Sequence, residues 1–229
     1  MRSIKSKIIL SFLLIIVLVS ALFLISAQNI ISDSQYKSLD LLMQKAESDT
    51  KTLIDELGEN MLREVKLVGQ LPTLISVIED GSPDTVKDST QTFVNHLKID
   101  MLISYDIDGE FITSTMEINE ADQDKLLPYA ENSIEGESGE IRSVINGQLA
   151  ILTYTPVGLE DDPSGVLFSL NFIDDEFLKE NKDFINMEIA LVTGNNLSGT
   201  TLSKDKRANF VESIKKTKGN IGQSFDLYH

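Results

Sequence analysis

Ile8 to Ala27 is a run of twenty residues without a charge, and nothing else in this chain constrains its fold as strongly. At 1.5 Å per residue a helix of that length spans about 30 Å, the hydrocarbon core of a bilayer. Arg2, Lys5 and Lys7 flank the run on its N-terminal side, and the first acid, Asp33, comes after it. The positive-inside rule then puts residues 1–7 in the cytoplasm, 8–27 in the cell membrane as a signal anchor, and the chain beyond Gln28 outside. A cleaved signal peptide is the alternative, with Val19-Ser20-Ala21 as a passable cleavage site. Both readings leave the bulk of the chain extracytoplasmic.

Composition narrows what that bulk can do. Asp and Glu number 36 against 20 Lys and Arg, a net charge of −16, and three of the bases lie before the apolar run. Such a surface repels nucleic acid and anionic lipid. With no cysteine, there are no disulfides, thiolate ligands or thiol nucleophiles, and a lipoprotein anchor is excluded. Two histidines, His96 and His229, leave little material for a triad or a histidine-rich metal site.

Past the membrane run the hydrophobic period is first helical, then that of strands. Leu42, Ala46, Leu53, Leu57, Met61, Val65 and Val68 recur at steps of three, four and seven, which predicts a helix from Ser34 to about Gln70. Pro72 ends it, and Pro83 opens a further helix running to about Lys98. From Met101 the period falls to two. Strands are expected at 101–105, 110–116, 139–145, 148–157 and 166–172, with turns at Asp106-Ile107-Asp108-Gly109, Asn146-Gly147 and 161–165. Asp106-x-Asp108-Gly109 lacks the remaining positions of a calcium loop and reads as a hairpin turn. A short helix over 122–132, interrupted by Pro128, separates the second and third strands. A helix from Asp174 to Phe184 leads into strands at 187–192 and 198–202, a helix at 203–218 and the start of a strand at 225–228. The fold class is α+β, with a long helix packed on an antiparallel sheet.

The order of these segments resembles a known family. It runs Asp100-x5-Asp106-x2-Gly109, Leu152-Thr153-Tyr154-Thr155-Pro156-Val157, Gly165-Val166-Leu167-Phe168, Asp174-Asp175-Glu176-Phe177-Leu178, then Glu188-Ile189-Ala190-Leu191-Val192 with Gly199-Thr200-Thr201-Leu202. That succession is similar to the extracytoplasmic double Cache sensor domains of bacterial receptors, which are PAS-like. The resemblance covers about residues 30–229. It implies a long helix and membrane-distal Cache module over 28–173, a linker helix over 174–186, and a partial second Cache module over 187–229. It also implies signalling across the membrane, with a chemoreceptor, histidine kinase or cyclic-dinucleotide enzyme as the output.

No Gly-x-Gly-x-x-Gly, phosphate-binding Gly-Lys-Ser/Thr loop or Gly-x-Ser-x-Gly elbow occurs. Neither catalytic nor metal-binding residues are assigned, and no cofactor is expected. Ligand binding fits the sequence better. In the strand 166–172, Val166, Phe168, Leu170 and Phe172 alternate with Leu167, Ser169 and Asn171. The apolar set is expected on the long helix, which leaves Ser169 and Asn171 to line a pocket. Arg142 and Tyr154 on neighbouring strands offer a carboxylate clamp and an aromatic wall. The ligand expected is a small anionic or zwitterionic molecule. The long apolar stripe also predicts a parallel homodimer. Two other classes share parts of this outline. A pilin-like anchored subunit would carry a Gly before its apolar helix and a Glu near its start, both absent from residues 8–27. A secreted hydrolase would need a nucleophile setting, and none is visible.

Overall fold

A computed structural model describes the backbone of residues 4–159, 161–185, 188–193 and 196–216. Side chains are described from residue 35 onward, except 160, 184–187, 193–196 and those beyond 212. The chain divides into two compact units, residues 1–49 and 50–229. One helix, α1 (Ile4–Gly69), runs through both. It is longer than the helix read from the sequence, because no proline or glycine interrupts residues 4–57. The uncharged run 8–27 lies in this helix, but its side chains fall outside the described residues. Among the described residues no helix is long and apolar enough to cross a membrane. In the first unit Tyr36, Leu39, Leu42 and Met43 are exposed.

In the second unit α1 is followed by α2 (Pro72–Asp80) and α3 (Pro83–Leu97), each with proline in its first turn. Proline there gives up an N–H that has no helical partner anyway. α2 runs nine residues from its proline. Gly81, at φ +67°, closes it.

A five-stranded antiparallel sheet follows, built from β1 (Met101–Asp106), β2 (Phe111–Ser114), β3 (Gly139–Ile145), β4 (Gln148–Leu159) and β5 (Asp162–Phe172). Its strand order is β2-β1-β5-β4-β3. Asn146 and Gly147 both have positive φ, as the two-residue turn between β3 and β4 requires. β4 and β5 pair out to Leu159 and Asp162. Residues 162–165, read from the sequence as a turn, therefore belong to β5. α4 (Glu120–Ile134) connects β2 to β3 and carries Pro128 inside it.

Helices cover both faces of this sheet. On one, Ile54, Met61 and Val65 of α1, Leu74 and Ile78 of α2 and Val86 of α3 pack on Leu102, Ile151 and Leu167. On the other, Leu126 and Ala130 of α4 pack on Ile103, Tyr105, Leu152, Tyr154 and Phe168. This reverses the expected phase of β5: Leu167, Ser169 and Asn171 share the α1 side, and Phe168 faces α4. Alternation separates two faces but does not say which helix each will meet. With both faces buried, the larger apolar set went to the shorter helix. Gly165 permits the close approach on the α1 side, since a Cβ there would stand 2.5 Å from the Tyr105 carbonyl and 2.7 Å from Ile78 Cγ2.

After β5 the chain forms α5 (Asp175–Glu180) and α6 (Lys182–Ile185), then a two-stranded sheet of β6 (Ala190–Thr193) and β7 (Asn196–Thr200), then α7 (Lys204–Lys216). Asp174 caps α5, accepting from the Glu176 and Phe177 amides. Asp175 ties β7 and α7 to α5. It accepts from the Thr200 amide at 2.8 Å and ion-pairs with Arg207. The strand read at 225–228 lies outside the described residues.

Candidate functional site

The four residues expected to bind ligand do not come together. Arg142, opposite Ile151 and through it Asn171, lies on the α1 side with Ser169, whereas Tyr154 lies on the α4 side. Arg142 ion-pairs with Asp55 of α1 and with Glu140 at 3.1 Å. Ser169 is buried, with its hydroxyl 2.6 Å from that of Thr153. The Asn171 side-chain carbonyl Oδ1 accepts from the Asp100 amide at 2.8 Å, and the Asp100 carboxylate accepts from the Phe172 amide at 2.7 Å. Each of these three has become a tie within the protein. Burial raises the Glu140 pKa, with Asp55 and Glu59 adding to the rise and Arg142 opposing it. Asp100 is raised too, by burial first and by Asp174 in addition, against the Phe172 hydrogen bond.

Tyr154 belongs to an aromatic cluster under α4. Its ring centroid is 5.7 Å from that of Tyr129 and 5.9 Å from Phe168, and Phe168 meets Tyr105 at 5.5 Å, edge-on. Tyr105 donates its hydroxyl to the Gln123 carbonyl at 3.2 Å, and burial pushes its pKa above the usual tyrosine value. Burial also raises Tyr154, helped by Glu137 and Tyr129. The Ser133 hydroxyl is buried without a hydrogen-bond partner among the described residues.

Next to this cluster, along the outer edge of β2, is an open groove of about 480 Å³. Phe111 forms its inner wall and packs edge-on against Tyr105 at 5.8 Å. Thr113, Ser114 and Gln123 add neutral polar groups, and Met116 and Ile118 add apolar ones. Lys87 of α3 and Glu117 also line it, and neither is ion-paired with a described residue. The groove thus presents one charge of each sign beside an aromatic surface, a combination suited to a small molecule carrying both charges and an apolar part. Sequence reasoning missed Lys87, Phe111 and Glu117. The available signal was the aperiodic stretch between β2 and α4, too long for a tight turn.

That stretch is anchored by a buried carboxylate. Asp122 accepts from Lys125, from Asn119 Nδ2 at 2.7 Å and from the Asn146 amide at 2.7 Å. Burial alone would raise its pKa, but these hydrogen bonds outweigh burial and hold it below the usual carboxylate range. Among the described residues no group of His, Asp and Glu is arranged to hold a metal ion.

No family model matches the sequence, and no curated protein does. Solved structures do match. The periplasmic domain of LuxQ from Vibrio cholerae aligns with TM-score 0.53 at 14% identity, over 80% of this chain and 82% of that one. The sensor domain of the V. cholerae histidine kinase DctB aligns with TM-score 0.51 at 13% identity, over 83% and 81%. At that identity the likeness is one of fold. The fold is that of periplasmic sensor domains, in keeping with the Cache resemblance of the sequence.

Proposed function

We propose that this chain is the extracytoplasmic sensing part of a bacterial transmembrane receptor, anchored by residues 8–27, and that it binds a small zwitterionic or anionic molecule in the groove beside β2. The observation that carries the reading is the groove itself: Lys87 and Glu117, neither ion-paired with a described residue, with Phe111 of the edge strand beside the aromatic core, on a periplasmic sensor fold. Lys87 answers a carboxylate, Glu117 an ammonium group, and Phe111 an apolar side group. The exposed apolar residues of α1, Tyr36, Leu39, Leu42 and Met43, support pairing with a second copy of the chain.

Two experiments test this reading. A thermal-shift screen of amino acids and organic acids on the full chain in detergent should return at least one stabilising compound, and a panel without a hit would count against it. Protease added to intact spheroplasts should digest the region after Gln28, and protection of that region would overturn the topology.

A further inference from the structure

Met116, Glu117 and Ile118 form the outer rim of the groove, between β2 and α4, with no strand or helix of their own to hold them. Each of their carbonyls is capped by a side chain instead. Ser114 Oγ donates to Met116, Gln123 Nε2 donates to Ile118 at 3.2 Å, and Asn146 Nδ2 donates to Glu117 at 2.8 Å. Ser114 and Gln123 are local to the rim. Asn146 belongs to the hairpin tip joining β4 to β3, the edge strand opposite β2.

Asn146 is fully engaged there. Its amide donates to Asp122, and its side-chain carbonyl accepts from Asn119 at 3.2 Å. It stands at φ +50°, a left-handed conformation that asparagine tolerates better than most residues. A glycine there would keep the turn, so the turn does not by itself call for this side chain.

We infer that Asn146 is the positioning residue of the groove: its side chain holds Glu117 in place from the β3–β4 hairpin, so that rim and hairpin move as one body. Its bearing on ligand binding rests on the function proposed above, but the tie itself is tested without a ligand.

The test is hydrogen–deuterium exchange on the full chain in detergent, comparing wild type with Asn146→Gly and Asn146→Asp. Glycine keeps the left-handed turn and deletes both side-chain hydrogen bonds. Aspartate keeps the acceptor for Asn119 and loses the donor to Glu117. In both variants the amides of Thr115, Asp122 and Gln123, which are hydrogen-bonded beside the rim, should exchange about tenfold faster. Those of β4 and β5 should be unchanged. Unaltered rim exchange in Asn146→Gly would overturn the inference, as would wild-type rates in Asn146→Asp. Equal acceleration throughout the sheet would also overturn it, because Asn146 would then be a residue of the fold alone. A groove that binds nothing leaves these rates untouched, so the two failures are distinguishable.

Discussion

On the α1 side of the sheet, polar side chains are spent on the protein itself: Thr153 on Ser169, Arg142 on Asp55 and Glu140, Asn171 on the Asp100 amide. On the α4 side the strands offer mostly aromatic and aliphatic groups, yet a groove lined by Glu117 and by Lys87 of α3, neither ion-paired with a described residue, opens at the β2 edge beside that core. The contrast follows from how many elements cover each face. Three helices lie over the first face and seal it, so that its polar strand residues pair with one another, with Asp100 or with Asp55 of α1. One short helix lies over the second, and the segment leading into it is left as an open rim. Polar residues inside this sheet mark where the protein ties itself together, and the groove proposed to bind ligand lies at the edge of the face with fewer covering helices.

The sharpest way to break this contrast is to remove the aromatic floor. Phe168 is fully buried between Tyr105 and Tyr154. Phe168→Ala should cost about 3–5 kcal/mol in urea unfolding. A cost below about 1 kcal/mol would mean that the α4 side is loosely packed.

A smaller effect is expected at Asp122. Its pKa is held below the unfolded value, so its charge stabilises the domain above that value, and the contribution is lost as pH falls through the folded one. Asp122→Asn should cost about 1–3 kcal/mol at pH 7, and the difference from wild type should shrink as the solution is acidified below about pH 4. A pH-independent difference would show that shape rather than charge matters at this position.

On the α1 side the effects are smaller still. Arg142→Ala removes the partner of Glu140 and Asp55, but Asp55 is well exposed, so screening holds the loss to about 1 kcal/mol. Glu140 titrates in the opposite sense to Asp122. Its folded pKa is raised, so protonation favours the folded state, and its charge is a net cost at neutral pH. Glu140→Gln should be as stable as wild type or a few tenths of a kcal/mol more stable at pH 7, and the two should converge on acidification. A marked loss in Glu140→Gln would make the Arg142 pair a net stabiliser.

The helical and strand periods made most of the architecture legible, including the Asn146-Gly147 hairpin and the proline start of α3, whereas Pro72, read as the end of the long helix, also opens α2. They did not reveal the phase of the sheet. Val166 to Phe172 alternates cleanly, but Leu167 and Phe168 are both apolar, and only the register with Met101–Asp106 decides which meets α1. The site was hidden for a related reason. Arg142, Ser169 and Asn171 stood out as polar residues on strands, but their partners lie far along the chain, as Asp55 does from Arg142. Lys87 and Glu117 were two among many surface charges until α3 and the rim placed them in one groove.

On the function proposed above, ligand recognition belongs to the groove beside β2 and not to the polar residues under α1. Titration calorimetry tests it most directly, using the full chain in detergent and the compound that most stabilises it in the screen. Lys87→Ala and Glu117→Gln should each weaken binding roughly ten- to a hundredfold, the equivalent of about 1.5–3 kcal/mol for a lost charge-assisted hydrogen bond, while Arg142→Lys leaves the affinity unchanged. Full affinity in both groove variants together with its loss in Arg142→Lys would contradict the account and place the site on the α1 side.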